Sequence, residues 1–152
     1  MPYPYIFDSE AKAEMLERLN KLTPETQPQW GKMDVAQMLA HVSVAYGIAF
    51  DEVPVKTNPV MKLMLKLFLK KIVVGEKPYA KNSRTAPVFM IADERVFEAE
   101  KKKLAAYIEL AHDLGKEHFD GMENPSFGKL NAQEWSNLFS KHFDHHCKQF
   151  GV

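Results

Sequence analysis

The stretch Asn131–Gly151 reads NAQEWSNLFSKHFDHHCKQFG. Asn131, followed three residues on by Glu134, has the form of a capping box, which satisfies two otherwise unpaired N–H groups at a helix start. Advancing about 100° per residue, Trp135, Leu138, Phe139, His142, His146 and Gln149 share one face, with His145 on its edge. Lys141, Asp144 and Lys148 fall opposite, where a helix meets water. Gly151 supplies the stop. The histidines therefore point where the core is expected.

The same period recurs upstream, and strand signals are scarce, so the chain reads as all-α with four or five helices. The first runs from about Ser9 to Leu22, capped by Asp8 or Ser9 and closed by Pro24, with Met15, Leu19 and Leu22 inward. The second starts near Asp34 and runs to about Phe50. Its face holds Met38, His41, Val44, Ala45 and Ile48, with Asp34 and Gln37 toward the N-terminus. The third segment, VMKLMLKLFLKKIVV at 60–74, is apolar almost all round, apart from a stripe of Lys62, Lys66 and Lys70. It reads as a short middle helix buried on two sides; the alternatives are a subunit interface, a lid or a membrane-surface helix. A non-periodic connection follows at 75–90, with Arg84 exposed on it. The fourth long helix spans about Asp93 to Leu114, before Gly115. Phe97, Leu104, Ile108 and Ala111 lie inward, and His112 and His118 near its end.

Composition narrows the classes. A length of 152 residues suits one domain over 1–152. Twenty Lys and Arg against twenty Asp and Glu leave no basic surplus, which argues against a dedicated nucleic-acid binder. The one cysteine, Cys147, cannot form an internal disulfide, and with no basic, apolar leader in MPYPYIFDSEAK the expected setting is the cytoplasm. The lysines of 60–74 make that run too charged to span a bilayer, so no membrane partner is expected.

Three of the six histidines fall within five positions, at 142, 145 and 146. His142 and His146, at i and i+4, stack on one face. Unpartnered imidazoles in a core are costly. A divalent cation would resolve this by accepting both neutral nitrogens at about 2.0–2.1 Å. A third ligand would come from another helix, and His41 is the only histidine on the inner face of the second. The alternative is that these are hydrogen-bonded core histidines. P-loop, GxGxxG, HExxH and GxSxG patterns are absent. Cys147 reads as a buried thiol rather than a nucleophile, and Asp34 and Glu134 as helix-start residues before general bases.

The segment His142–Gln149 resembles the final-helix signature of the DinB/YfiT-like superfamily: a histidine, three residues, a histidine, two residues, glutamine. Trp30–His41 resembles its second-helix histidine segment. Asn124–Trp135 resembles the approach to the last helix in one uncharacterised branch. The resemblance implies an up-down-down-up four-helix bundle with a metal site of His41, His142 and His146. His145 and Gln149 would sit beside the ligands, and Gln37, Met38, Trp135 and Phe139 would line the pocket. Where the family often has Arg-Gly, this chain has Cys147-Lys148.

Three histidines leaving an open position describe a catalytic centre more than a structural one. The resemblance implies a metal-dependent enzyme acting on a small molecule, with zinc or nickel as cofactor. Relatives include thiol-dependent transferases using low-molecular-weight thiols, and suspected hydrolases. A non-catalytic, metal-braced binding protein is the alternative. The catalytic residues are unknown, and a homodimer is expected from the apolar 60–74 segment and the resemblance.

Overall fold

The computed structural model describes residues 3–152; Met1 and Pro2, which open the segment read for a leader, lie outside them. The described residues are mostly helical: α1 Ser9–Asn20, α2 Val35–Ala49, α3 Pro59–Phe68, α4 Lys70–Val74, α5 Phe97–Phe119 and α6 Ala132–Gln149. A one-turn 3₁₀ helix spans Pro87–Phe89. Two antiparallel two-residue strands, β1 Glu123–Asn124 and β2 Gly128–Lys129, pair Glu123 with Lys129 and Asn124 with Gly128. The hairpin was not expected from sequence. Its turn is set by the Asn124 carboxamide, which accepts from the N–H groups of Ser126 and Phe127.

Both helices that carry the histidines start on capping boxes. Asp34 accepts from Gln37 N–H at 2.8 Å while the Gln37 side chain accepts from Asp34 N–H at 3.0 Å. Asn131 and Glu134 repeat the arrangement at the start of α6. Such caps contribute about 1 kcal/mol each and fix the first turn. α2 and α5 pack along each other; α1 packs on α5, and α6 on α2 and α5. Leu39, Leu104, Phe119, Trp135 and Phe139 are completely buried between them. Tyr46 stacks on Phe139, ring centres 4.3 Å apart. Each such side chain contributes about 1.5–3 kcal/mol by leaving water.

Several boundaries differ from expectation. α5 starts at Phe97, because Arg95 is drawn aside to pair with Asp93 and Glu100. It also continues past Gly115, whose φ of 77° kinks the helix and lets the Lys116–Phe119 turn bring Phe119 back into the core. α2 is buried nearly all round rather than on one face.

The middle segment is the largest correction. It breaks at Leu69 into two helices and is not buried on two sides: α3 has no buried residue. Val60, Met61, Leu63, Met64, Leu67 and Phe68 are 50–73% exposed, and Leu69 and Ile72 continue the apolar surface. Lys62 and Lys70 of the lysine stripe turn toward the body of the protein, and Lys66 stays exposed. Lys62 pairs with Glu123 and Lys70 with Glu134, while Leu65 and Val73 are the apolar side chains of this segment that pack against the core beside the buried Val74.

Lys141 also overturns its expectation. It is 1% exposed, not solvated. Its ammonium donates to the carbonyls of Ile72, Gly75 and Lys77 at 2.5, 2.7 and 3.0 Å, and lies 4.4 Å from the Tyr79 ring centre. One turn earlier, Asn137 donates to the Val74 carbonyl at 2.9 Å. The side of α6 assigned to water thus closes the end of α4, supplying donors to carbonyls that a helix C-terminus leaves unpaired. Asp144 is held by Arg18 and Lys148, and only Lys148 is largely exposed.

Candidate metal centre

Three elements build the site. His41 lies on α2, His142 and His146 lie one turn apart on α6, and the Pro87–Phe89 turn closes over them. One ring nitrogen from each histidine falls within 4.8 Å of the others. The His41 and His142 Nε2 atoms are 2.9 Å apart. His41 and His146 are 5% and 8% exposed, and His142 is partly exposed. No carboxylate or thiol joins the cluster among the described residues.

Hydrogen bonds fix which nitrogens face inward. His41 Nδ1 donates to the Phe89 carbonyl at 2.7 Å, leaving Nε2 with its lone pair toward His142. His146 Nδ1 donates to Gln149 Oε1 at 2.7 Å, which frees its Nε2 in the same way. Gln149 is itself anchored, its Nε2 donating to the Trp30 carbonyl at 2.8 Å. With His41 Nε2 as acceptor, the 2.9 Å contact requires His142 to carry its proton on Nε2. Coordination would need that proton to move to Nδ1 or leave.

Electrostatics keep the cluster neutral. Burial lowers the His41 pKa against the raising effect of its Phe89 hydrogen bond. Burial, with the neighbouring imidazoles, drives His142 well below the usual histidine range. His146 is pushed down to about 3, chiefly by burial and then by His41, against the Gln149 bond. Neutral imidazoles with free nitrogens are what a divalent cation accepts. A tetrahedral ion with bonds of about 2.0–2.1 Å holds its ligand atoms roughly 3.3 Å apart. That lies between the closest pair here, 2.9 Å, and the 4.8 Å outer limit. The donor set fits a divalent metal, and His41 and His146 already carry the outer hydrogen bonds that orient metal-binding histidines.

The other sequence-named residues divide. Gln149 meets a cluster histidine. His145 lies beside the cluster by packing, its ring 5.0 Å from His146, 5.6 Å from Tyr79 and 5.9 Å from Trp30. No hydrogen bond joins it to the three histidines among the described residues. Gln37 is committed elsewhere: beyond its capping box, its Nε2 donates to the Asp93 carbonyl. Trp135 does not line a pocket; it is fully buried, stacked near Phe139, with its indole N–H on the Met122 carbonyl. Met38 is 2% exposed within the core. Asp34 and Glu134 are engaged as helix starts, Arg84 is exposed, and Cys147 is a buried free thiol.

Sequence reasoning missed the aromatic cover. Phe89 sets its ring 5.6 Å from both His41 and His142, and Tyr79 stands 6.5 Å from His142. Tyr79, Trp30, His145 and Lys81 line a cavity of about 130 Å³ beside the cluster. Gly31 was also missed. Its φ is +83°, and a Cβ there would stand 2.5 Å from Gln149 Nε2, so glycine is what admits the amide that orients His146. The Trp30-Gly31 pair was the available signal.

A family model described as protein of unknown function (DUF1569) matches residues 6–151. The chain belongs to the DUF1569 family. That match covers all six helices, both histidine-bearing ones included. Neither curated proteins nor solved structures gave a match. Among the described residues, no helix of this DUF1569 chain is long and apolar enough to cross a membrane.

Proposed function

We propose that this chain is a metal-dependent enzyme of the DinB/YfiT-like kind. In this reading it is one domain, with α1, α2, α5 and α6 as an up-down-down-up bundle. It holds zinc or nickel on His41, His142 and His146. It acts on a small molecule, with a low-molecular-weight thiol as the nucleophile, as in a thiol-dependent transferase. The observation that carries the reading is the convergence of three neutral imidazoles, two with Nδ1 committed outward and Nε2 turned inward.

When bound, a divalent ion with an open position would lower the pKa of a coordinated water or thiol near neutral pH. Phe89 and Gln149 hold the His41 and His146 rings in one tautomer, so His142 is the ring whose proton must move on binding. Phe89 and Tyr79 exclude water on their side of the cluster, while His142 is partly exposed. Hydrolysis is the same site used with water in place of thiol. The exposed apolar face of α3 favours a second reading, a metal-braced interaction protein without catalysis.

The test is metal content by mass spectrometry for wild type and His142→Ala, followed by thiol-consumption and ester-hydrolysis screens. About one equivalent of zinc or nickel in wild type, lost in the variant, is expected. Metal-free wild type that gains no thermal stability from added zinc or nickel would overturn the proposal. A loaded protein inert with every thiol and ester would favour the second reading.

A further inference from the structure

We infer that the outward face of α3, continued through Leu69 and Ile72, is a self-association surface that pairs with the same face of a second copy. The inference is independent of any metal. Apart from Leu65, which packs against the core, α3 shows its apolar side chains to water, while Lys62 is turned onto Glu123 and Lys70, just past its end, onto Glu134. Lys66 reaches over Gly128 of the hairpin. The apolar residues are left to face water, and Pro59, Val60, Met61 and Met64 line an open hollow of about 570 Å³.

Area argues for a protein partner. The exposed apolar side chains of α3 and α4 present on the order of 800 Å², about what each partner contributes to a standard interface. The largest apolar patch on an ordinary monomer is about 300–600 Å². Charge does not oppose a second copy: the chain is formally neutral, with 20 cationic and 20 acidic side chains, and of the four lysines in 59–74 Lys62 and Lys70 are paired with acids while Lys66 and Lys71 stay exposed. A helix lying on a membrane surface keeps its lysines beside its apolar face, toward the headgroups. Here Lys62 and Lys70 are spent on intramolecular acids, which leaves Lys66 and Lys71 as the exposed cations of the segment. In a two-fold pairing, the patch meets itself and the middle of the helix approaches its own counterpart. Met64 occupies that place in the ten-residue α3.

Sedimentation velocity across a dilution series tests this on wild type and on the double variant Leu63→Glu/Leu67→Glu. Both positions are exposed, so the helical circular-dichroism signal and melting temperature of the variant should match wild type. The expected result is twice the chain mass for wild type, and at least tenfold weaker association for the variant. Met64→Cys should cross-link in oxidised glutathione, two thiols giving one disulfide as the glutathione is reduced; Cys147, 1% exposed, stays out of the exchange. A monomeric wild type at every concentration, a variant that stays dimeric, or a Met64→Cys dimer that fails to cross-link would each overturn the pairing. So would wild type floating with phosphatidylserine vesicles while remaining monomeric in solution.

Discussion

Replacing Lys141 with Met is expected to destabilise the fold by about 2–4 kcal/mol. The side chains are similar in length, so packing is largely kept and the change isolates the ammonium. Three carbonyls, from Ile72, Gly75 and Lys77, lose their donor. Each orphaned buried acceptor costs about 1–3 kcal/mol. Against this stands the relief of a buried charge. Burial pushes the Lys141 pKa from 10.5 down to about 8, about 3 kcal/mol held against the charged form at ~1.4 kcal/mol per unit. The carbonyl loss exceeds the relief. For a chain of this size, the melting temperature should fall by about 5–15 °C. Thermal melts and urea titrations read the effect, with Lys148→Met as the control. Lys148 is 67% exposed and paired only with Asp144, so its loss should cost about 0–1 kcal/mol. If Lys141→Met melts with wild type, or above it, Lys141 does not close the end of α4.

Acid should weaken the metal-free fold early. The folded-state pKa values of His41, His142 and His146 are all lowered. Below about pH 6.5 the unfolded chain therefore binds protons that the native state refuses, and stability falls with pH by up to ~1.4 kcal/mol per unit per histidine, down toward the folded pKa values. Urea midpoints of chelator-treated protein at pH 7 and pH 5 should differ; equal midpoints would contradict the burial argument. Gln149→Ala frees His146 Nδ1 and should weaken zinc affinity about 10–100-fold in chelator competition, whereas unchanged affinity would remove Gln149 from the centre. Cys147, its pKa pushed up to about 12 by burial, should react with a thiol reagent only after denaturant is added. Rapid labelling of native protein would refute its burial.

Much of the site was legible because it depends on local spacing. A histidine pair at i and i+4 needs only a helix, and both helices announce their starts through Asp34–Gln37 and Asn131–Glu134. The third histidine of the cluster was legible because His41 is the one histidine on α2. What failed was inference from a helical wheel to solvent. A wheel says which side chains share a face, not what packs there. α6 has 12 of its 18 residues buried, so its apparently wet side meets α4 and Lys141 becomes a cap. α3 failed in the opposite sense: Leu65 packs on the core while its other apolar side chains face water, and Lys62 and, on α4, Lys70 turn back to Glu123 and Glu134, distant in sequence. Gln37 and Trp135 pointed correctly along their helices, but found the Asp93 and Met122 carbonyls before any ligand could.

The separation of His41 from His142 by 101 residues has a consequence for proteolysis. Residues 80–87, between them, are exposed, and exposed loop tips are where proteases nick first. A cut there would leave one fragment with a single cluster histidine and the other with two. The fragments would stay together through the α2–α6 and α5–α2 packing, as two noncovalently paired chains. Any ion held by the cluster would then bridge two molecules, and its retention would report whether the halves remain docked.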